Sequence, residues 1–274
     1  MTISEPLPPA SRGLVPVDGG AIDYAVYGSG PPVVFAHGIG GNRHSWFQQV
    51  SGLSGSHTCI TFSHRGFAAS HDDTGMPRPQ RYGADLVALL DHLAIQRTAI
   101  VAQSMGGWTA LEFALLAPER LAGLVIAGST GSLRLHGVAS LADSAADPEV
   151  IRCRADGISP AAGRRMATEQ PELHELYVEI DSLSGDWDRA PVRTALDGMR
   201  VREPAGFSFA CPALALVGAE DIVCPPRNVQ AMAAAVPQIE MVVIPETGHS
   251  AYFERPGVFN QLVSDYFNRI EALQ

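Results

Sequence analysis

The chain contains no lysine, and all 19 basic residues among its 274 residues are arginine. A lysine amine is required for a Schiff base with a carbonyl substrate, for the covalent attachment of pyridoxal phosphate and for the lysine of a phosphate-binding loop. The sequence therefore excludes these three kinds of chemistry.

Positive charge is scarce along the whole chain. The 19 basic residues face 29 acidic ones, which gives a net charge of −10. No stretch of basic residues forms a footprint for nucleic acid, and a field of this sign repels phosphate backbones, so we expect no nucleic-acid partner. Charged residues make up 18% and hydrophobic residues 46% of the chain. That balance excludes an extended disordered chain.

Paired cysteines and long apolar runs are also missing. The four cysteines (Cys59, Cys153, Cys211 and Cys224) form no C-x-x-C pair, which favours reduced thiols in a cytoplasmic protein. Residues Met1 to Pro16 contain four prolines and no apolar run, so we expect no signal peptide there. No later run is long enough to cross a bilayer, and we expect no membrane partner.

What the chain does contain is a regular alternation of short apolar runs and helical patterns. The runs that predict buried strands are Ala21–Tyr27, Pro32–His37, Thr58–Phe62, Thr98–Gln103, Leu121–Ala127, Ala213–Val217 and Glu240–Ile244. The helical patterns between them are Arg43–Leu53, Arg81–Leu93, Met105–Ala117, Arg227–Ala235 and Pro256–Ala272. Such alternation predicts an α/β fold with a mostly parallel central sheet and helices on both faces. Ligands then bind beyond the carboxyl ends of the strands.

One segment interrupts the alternation. From about Thr130 to Phe209 no convincing buried strand occurs, whereas helical patterns recur, each opened by a proline, and nine of the 19 arginines fall here. We interpret residues 130–209 as a helical cap inserted between two strands of a core domain made of residues 1–129 and 210–274. The alternative, a disordered linker, agrees less well with the regular apolar spacing.

The strongest chemical signal is Ser104, which stands between the strand run Thr98–Gln103 and a helical pattern. A serine on a sharp strand-to-helix turn needs small residues two positions before and after it, and Ala102 and Gly106 meet that need. The helix behind such a serine directs backbone amides at a developing negative charge. The alternative is that Ser104 merely caps the helix.

A serine hydroxyl needs a base to become nucleophilic, and the base needs a carboxylate to orient it. His249 follows the last predicted strand, and Asp221 follows the strand before it. Because neighbouring strand ends meet at one edge of the sheet, both side chains can be presented together. Glu220 competes with Asp221 for the acidic role, and both acids could instead cap the next helix.

A glycine-containing loop follows the first buried strand, at His37-Gly38-Ile39-Gly40-Gly41. Glycines allow this loop to approach a substrate closely. The amides of Ile39 and Met105 can then converge on a tetrahedral oxyanion. We expect His37 to hold the loop by hydrogen bonds.

Five residues are candidates for the wall of the substrate pocket: His37, Gly38, Gln103, Trp108 and His44. For Trp108 the alternative is packing in the core, and His44 lies in a loop after a strand.

Several short strings resemble those of the α/β-hydrolase fold family, in its capped branch of esterases, lactonases and carbon–carbon hydrolases. They are His37-Gly38, Arg65-Gly66-Phe67, Ser104-Met105-Gly106-Gly107, Pro118-Glu119-Arg120, Gly218-Ala219-Glu220-Asp221, and Gly248-His249 with Glu254 and Pro256. The resemblance runs from about Gly13 to Leu273 and is weakest across residues 130–209. It implies a triad of Ser104, Asp221 and His249 in the family's chain order.

Three residues depart from the family pattern. Ala102 replaces a glycine of the serine turn, Ser63 stands where aspartate is frequent, and Ala68 stands where glycine is common. None of these changes removes a catalytic atom. The branches that use an aspartate nucleophile are disfavoured because position 104 is serine.

From these residues we expect a serine hydrolase that cleaves a small carboxylic ester, thioester or lactone through an acyl-enzyme. It would act on a small-molecule substrate as a monomer or homodimer and need no metal or organic cofactor. Three alternatives stay open: hydrolysis of a carbon–carbon bond in a vinylogous diketone acid, a low-turnover ligand receptor, and perhydrolysis with peroxide. Arginines of the cap (Arg152, Arg154, Arg164 or Arg165) could bind a substrate carboxylate.

Overall fold

The apolar runs assemble into one central sheet. A computed structural model describes residues 10–205 and 207–271 of the chain. The strands are β1 (Ser11–Val17), β2 (Gly20–Tyr27), β3 (Pro32–Ala36), β4 (Thr58–Phe62), β5 (His71–Asp72), β6 (Thr98–Gln103), β7 (Leu121–Ala127), β8 (Ala213–Gly218) and β9 (Ile239–Ile244). Residues 1–9, part of the stretch where we expect no signal peptide, lie outside the described residues. So does Ala272, the predicted end of the last helix.

The strand order is β1-β2-β4-β3-β6-β7-β8-β9, with β5 paired to β2. The pairs β4-β3, β3-β6, β6-β7, β7-β8 and β8-β9 are parallel. Strand β2 pairs antiparallel with β1, β4 and β5. The prediction of a mostly parallel sheet is therefore confirmed. Strands β1 and β5 were not predicted from the sequence. Strand β1 lies at the edge of the sheet and buries only Val15 of its seven residues, so it shows no continuous apolar run.

The helices are α1 (Phe47–Leu53), α2 (Tyr82–His92), α3 (Gly106–Leu116), α4 (Leu141–Ala145), α5 (Pro148–Ala155), α6 (Gly163–Glu169), α7 (Pro171–Ser182), α8 (Ala190–Gly198), α9 (Pro226–Ala235), α10 (Ala251–Glu254) and α11 (Pro256–Glu271). Apolar residues of α2, α3 and α9 pack on one face of the sheet. Apolar residues of α1, α10 and α11 pack on the other face. This two-sided burial explains why the central strands are apolar throughout, because neither of their faces meets water. Among the described helices, none is long and apolar enough to span a bilayer.

Helices α4 to α8 all lie between β7 and β8 in the chain. We call residues 130–209 the helical segment. Its described part also contains an isolated bridge between Leu133 and Arg202. Helices α5 to α8 correspond to four helical patterns predicted from the sequence, at Pro148–Arg154, Pro160–Thr168, Pro171–Asp181 and Pro191–Gly198. The five-residue helix α4 was not predicted. The division of the chain into a core and a cap domain stays a prediction.

Candidate active site

The serine turn is strained in the way its sequence suggests. Ser104 has φ 50°, a left-handed conformation that non-glycine residues rarely adopt. Its amide donates to the carbonyl of Ala127 at the end of β7, over 2.9 Å, and holds the turn against the neighbouring strand. A side chain on Gly106 would collide with the carbonyl of Ala36. Glycine at this position therefore allows helix α3 to begin directly behind the serine.

His249 and Asp221 form a buried pair although they are 28 residues apart in the chain. Nδ1 of His249 lies 2.8 Å from Oδ2 of Asp221. The other carboxylate oxygen accepts hydrogen bonds from the amides of Val223 and Cys224, both at 2.8 Å. Because a carboxylate only accepts, Nδ1 of His249 is the donor and Nε2 is left as the acceptor. Three hydrogen bonds thus fix one tautomer of the imidazole.

Glu220 does not take part in this pair. Its carboxylate is exposed and contacts Arg165 at 2.6 Å. The hydrogen bond from Arg165 holds the pKa of Glu220 below its usual value. The neighbouring acid is thus turned outward, and Asp221 is turned inward to the histidine.

Gly128, which the sequence analysis did not single out, brings the serine turn and the histidine together. It follows Ala127, to which the Ser104 amide is bound. A Cβ on Gly128 would stand 3.0 Å from Nδ1 of His249 and 3.2 Å from Oδ2 of Asp221. The imidazole of His249 and the carboxylate of Asp221 therefore pack against the backbone that follows β7. A signal was present in the sequence, since Gly128 directly follows a predicted buried strand.

The loop after β3 is held by a pair of buried histidines. Nε2 of His37 accepts a hydrogen bond from the backbone amide of His64 at 2.9 Å. Nδ1 of His37 must then carry the proton, and it donates to the carbonyl of Gly38 at 2.8 Å. The ring of His64 continues the chain of hydrogen bonds to Thr109 over 2.8 Å. Burial lowers the pKa of His37 to about 4, so its ring is neutral near pH 7.

The same loop closely approaches the serine. A Cβ on Gly38 would lie 3.0 Å from Cβ of Ser104 and would collide with the side-chain oxygen of Gln103. A larger residue at this position would require Gln103 to move and would lie very close to the serine turn. Within the described part of the chain, neither the amide of Ile39 nor that of Met105 donates a hydrogen bond to the protein. Both amides are therefore free to bind another acceptor.

A cavity of about 190 Å³ opens above the serine. Ser104, His249, Ile39 and Gln103 line it from the sheet side. Residues of the helical segment line it from the other side: Leu141, Ser144, Ala145, Val150, Arg154, Ser159, Pro160, Ala161, Tyr177, Asp181, Arg189 and Arg193. The structure therefore brings the predicted nucleophile and base to the same cavity.

Of the five predicted pocket residues, the cavity lining includes Gln103 only. His37 and Gly38 lie behind the loop in the roles described above. Trp108 packs instead with Val192 and Leu196 and donates from Nε1 to the carbonyl of Leu196 at 2.9 Å. His44 is exposed on a short turn before α1. Which residues near the serine reach the cavity depends on side-chain direction and packing, which sequence spacing does not reveal.

Most of the arginines proposed to bind a carboxylate are already paired. Arg152 and Arg164 contact Glu149, and Arg165 contacts Glu169 and Glu220. Of that group, only Arg154 lines the cavity. The cavity arginines Arg189, just before α8, and Arg193, within α8, were not predicted, because the sequence gives no signal of the direction in which an arginine side chain points.

No group of three or more histidine, cysteine or acidic side chains within residues 10–205 and 207–271 is arranged to hold a metal ion. In the string His71-Asp72-Asp73, the carboxylate of Asp72 binds two arginines instead of joining a metal-ligand group. Asp72 contacts the buried guanidinium of Arg65 at 3.0 Å and Arg78 at 2.6 Å.

The sequence profile of the alpha/beta hydrolase fold matches residues 31–256. The chain belongs to the α/β-hydrolase fold family. It is 29% identical over 261 residues to a Mycobacterium tuberculosis protein with the provisional name non-heme bromoperoxidase BpoC, covering 89% of this chain and 97% of that protein. It is 27% identical over 259 residues to 3-oxoadipate enol-lactonase 2 of Acinetobacter baylyi, covering 91% of this chain and 94% of that one.

Solved structures agree with the family assignment. A thermophilic esterase from Thermogutta terrifontis superposes with a TM-score of 0.74 at 26% identity, covering 95% of this chain and 99% of the other. With this family and these relatives, the chain is a hydrolase.

Proposed function

We propose that this hydrolase is a serine esterase or lactonase acting on a small-molecule carboxylic ester, thioester or lactone. The observation that carries the proposal is the strained Ser104 turn, which opens into a cavity shared with a histidine whose tautomer Asp221 fixes. Strain of this kind is typical of functional sites, where a turn exposes a nucleophile.

The chemistry follows from the protonation states. With Nδ1 protonated, Nε2 of His249 accepts the hydroxyl proton as Ser104 Oγ attacks the carbonyl carbon. The tetrahedral oxyanion accepts hydrogen bonds from the amides of Ile39 and Met105, each worth about 3–4 kcal/mol in the transition state. His249 then protonates the leaving oxygen or sulfur. A water molecule, deprotonated by the same Nε2, hydrolyses the acyl-enzyme and restores the serine.

Relatives support the choice of bond. The enol-lactonase and the esterase similar to this chain both carry names that describe cleavage of an ester or lactone. A carbonyl flanked by oxygen is the substrate that a serine, a histidine and two free amides are suited to activate.

A single substitution tests the proposal. Ser104→Ala should abolish the burst of p-nitrophenolate released from p-nitrophenyl butyrate, because no acyl-enzyme can form. The matched control is Ser51→Ala, which removes an exposed hydroxyl on α1 and should leave the burst unchanged. Mass spectrometry of the trapped intermediate should locate the butyryl group on the peptide that contains Ser104. An undiminished burst in Ser104→Ala, with its circular dichroism spectrum intact, would refute the assignment.

The relative named as a bromoperoxidase favours a second candidate, perhydrolysis. Hydrogen peroxide would then replace water, and its oxygen would attack the acyl-enzyme to release a peracid and the free serine. The same Ser104 variant would lose this activity. Measuring peracid against carboxylic acid from one ester, with peroxide present, distinguishes the two reactions.

A further inference from the structure

The cavity wall formed by the helical segment carries an unusual surplus of positive charge. Three arginines line it, Arg154, Arg189 and Arg193, and they face a single carboxylate, that of Asp181. The chain as a whole has a net charge of −10, so this surplus is a local feature that opposes the overall balance.

One of the three guanidinium groups is neutralised within the protein. Arg189 donates from Nη1 to both oxygens of Asp181, at 2.8 and 3.1 Å. Burial raises the pKa of Asp181, and the charge of Arg189 acts against that rise. This ion pair leaves the other two arginines without a carboxylate partner in the cavity lining.

The remaining arginines of the helical segment show how unusual that is. Seven of its nine arginines form an ion pair with a carboxylate: Arg134, Arg152, Arg164, Arg165, Arg189, Arg200 and Arg202. Arg154 and Arg193 have no such partner among the described residues, and both line the cavity. Among the described residues of this segment, arginines without a carboxylate partner therefore occur only at the cavity.

The two unpaired groups are also close enough to repel each other. Burial lowers the pKa of Arg193, and the charges of Arg154 and Arg189 lower it further, while Asp188 acts in the opposite direction. Arg154 is steadied by a hydrogen bond from Nη1 to the carbonyl of Ala145 at 3.0 Å. Placing like charges close together at a partly buried cavity wall is unfavourable in the free protein. A bound anionic ligand reduces this repulsion.

We propose that the substrate carries a carboxylate, which Arg193 and Arg154 bind while Ser104 attacks an ester or lactone carbonyl elsewhere in the same molecule. The planar guanidinium matches the two oxygens of a carboxylate, and such charge-assisted hydrogen bonds are the stronger class. This inference rests on the proposed serine chemistry and narrows its substrate to half-esters or acidic lactones.

The test compares two esters that differ in one charged group. Monomethyl glutarate and methyl pentanoate have the same ester and nearly the same length, but only the first ends in a carboxylate. The expected result is a kcat/KM about 10- to 100-fold higher for monomethyl glutarate, measured by titration of the acid released. Arg193→Gln should reduce this ratio about 10-fold or more through the KM of the anionic ester. Arg154→Gln should act in the same direction.

Arg152→Gln is the matched control, because Arg152 lies on the same helix as Arg154 but outside the cavity lining, where it is paired with Glu149. It should leave the ratio unchanged. Arg193→Lys, which keeps the positive charge, should retain part of the preference and shows that loss in the glutamine variant is electrostatic. Equal efficiency for the two esters, or an equal effect of Arg193→Gln on both, overturns the inference while leaving the serine chemistry intact.

A binding measurement separates this inference from the catalytic proposal. Glutarate titrated calorimetrically into Ser104→Ala should bind, and binding should weaken about 10-fold or more in the double variant Ser104→Ala/Arg193→Gln. No heat of binding, or unchanged affinity in the double variant, overturns the carboxylate site. Absence of any burst with p-nitrophenyl butyrate in the unaltered enzyme would instead contradict the proposed function.

Discussion

His37 donates a hydrogen bond to the carbonyl of Gly38 over 2.8 Å, and that carbonyl shares a peptide group with the amide of Ile39. The amide of Gly41 donates to the same oxygen at 3.1 Å. Because the N–H and C=O of a trans peptide point in opposite directions, fixing the carbonyl also fixes the direction of the Ile39 amide. His37 is therefore a positioning residue for the proposed oxyanion site.

Replacing His37 by alanine should lower kcat about 10- to 100-fold with little change in KM, because the amide matters only once the oxyanion forms. Steady-state kinetics on p-nitrophenyl butyrate provide the measurement. The control is His71→Ala, since His71 is exposed. A change confined to KM would show that His37 shapes the substrate pocket instead.

Asp221→Asn should reduce kcat by about 10³- to 10⁴-fold, because an amide at this position can donate to Nδ1 and stabilise the wrong tautomer of His249. Glu220→Gln should leave kcat nearly unchanged, since its carboxylate faces Arg165 at the surface. The two variants differ by one position in the chain, which makes them a stringent pair. A larger loss in Glu220→Gln would reverse the assignment of the acid.

Burial of His37 also makes the stability of the protein depend on pH. Burial lowers the pKa of His37 to about 4 in the folded protein, against 6.5 for an ordinary histidine. Between these values the unfolded chain binds a proton that the folded chain does not, so the free energy of unfolding falls as pH falls from 6.5 through about 4. The full difference corresponds to about 3 kcal/mol.

His37→Gln removes this contribution. Urea unfolding of both proteins at about pH 7 and about pH 4.5 should show a smaller acid-induced loss in the variant, by about 2 kcal/mol. The pKa of His64 is also lowered by burial and remains to destabilise both proteins in acid. An identical acid-induced loss of stability in the two proteins would mean that folding does not lower the pKa of His37.

Loss of the buried Arg65 should lower the stability of the protein more than loss of an arginine at the surface. Its side chain is fully buried and contacts Asp85 at 2.5 Å and Asp72 at 3.0 Å. Arg65→Met leaves the buried carboxylate of Asp85 without its ion-pair partner, whereas Asp72 keeps Arg78. The free energy of unfolding should fall by about 3–5 kcal/mol. Arg81→Gln, which breaks a surface pair with Asp18, should cost no more than about 1 kcal/mol. Urea unfolding measures both, and equal effects would contradict this ranking.

The sequence was most informative where a run of side chains has one environment. Strands β4, β6 and β7 begin and end at the predicted residues, because all their side chains are buried or nearly so. The edge strand β1 was missed because pairing on one side requires no apolar run. One departure from the family pattern is now understood in part: Ala68 has φ 49°, a conformation for which glycine is better suited.

Side-chain direction was the part that the sequence did not reveal. The contact between Asp221 and His249 could be predicted because neighbouring parallel strands place their carboxyl ends together. The pairing of arginines in the helical segment could not, because Arg165 meets Glu220 from a distant part of the chain. Which arginines are left for a ligand is decided by such distant contacts.

The helical segment is fastened to both loops that surround the serine. Ser184 Oγ donates to the carbonyl of Gly41 in the glycine loop at 2.9 Å. Asn42, which follows that loop, donates from Nδ2 to the carbonyl of Ile180 in the helical segment at 2.7 Å. The amide of Ser250, next to His249, donates to Ala161 at 3.0 Å. Grafting this segment from a relative to change specificity would therefore disturb the catalytic loops themselves. A working chimera must therefore also carry, in its loops, the residues of the relative that bind the grafted helices.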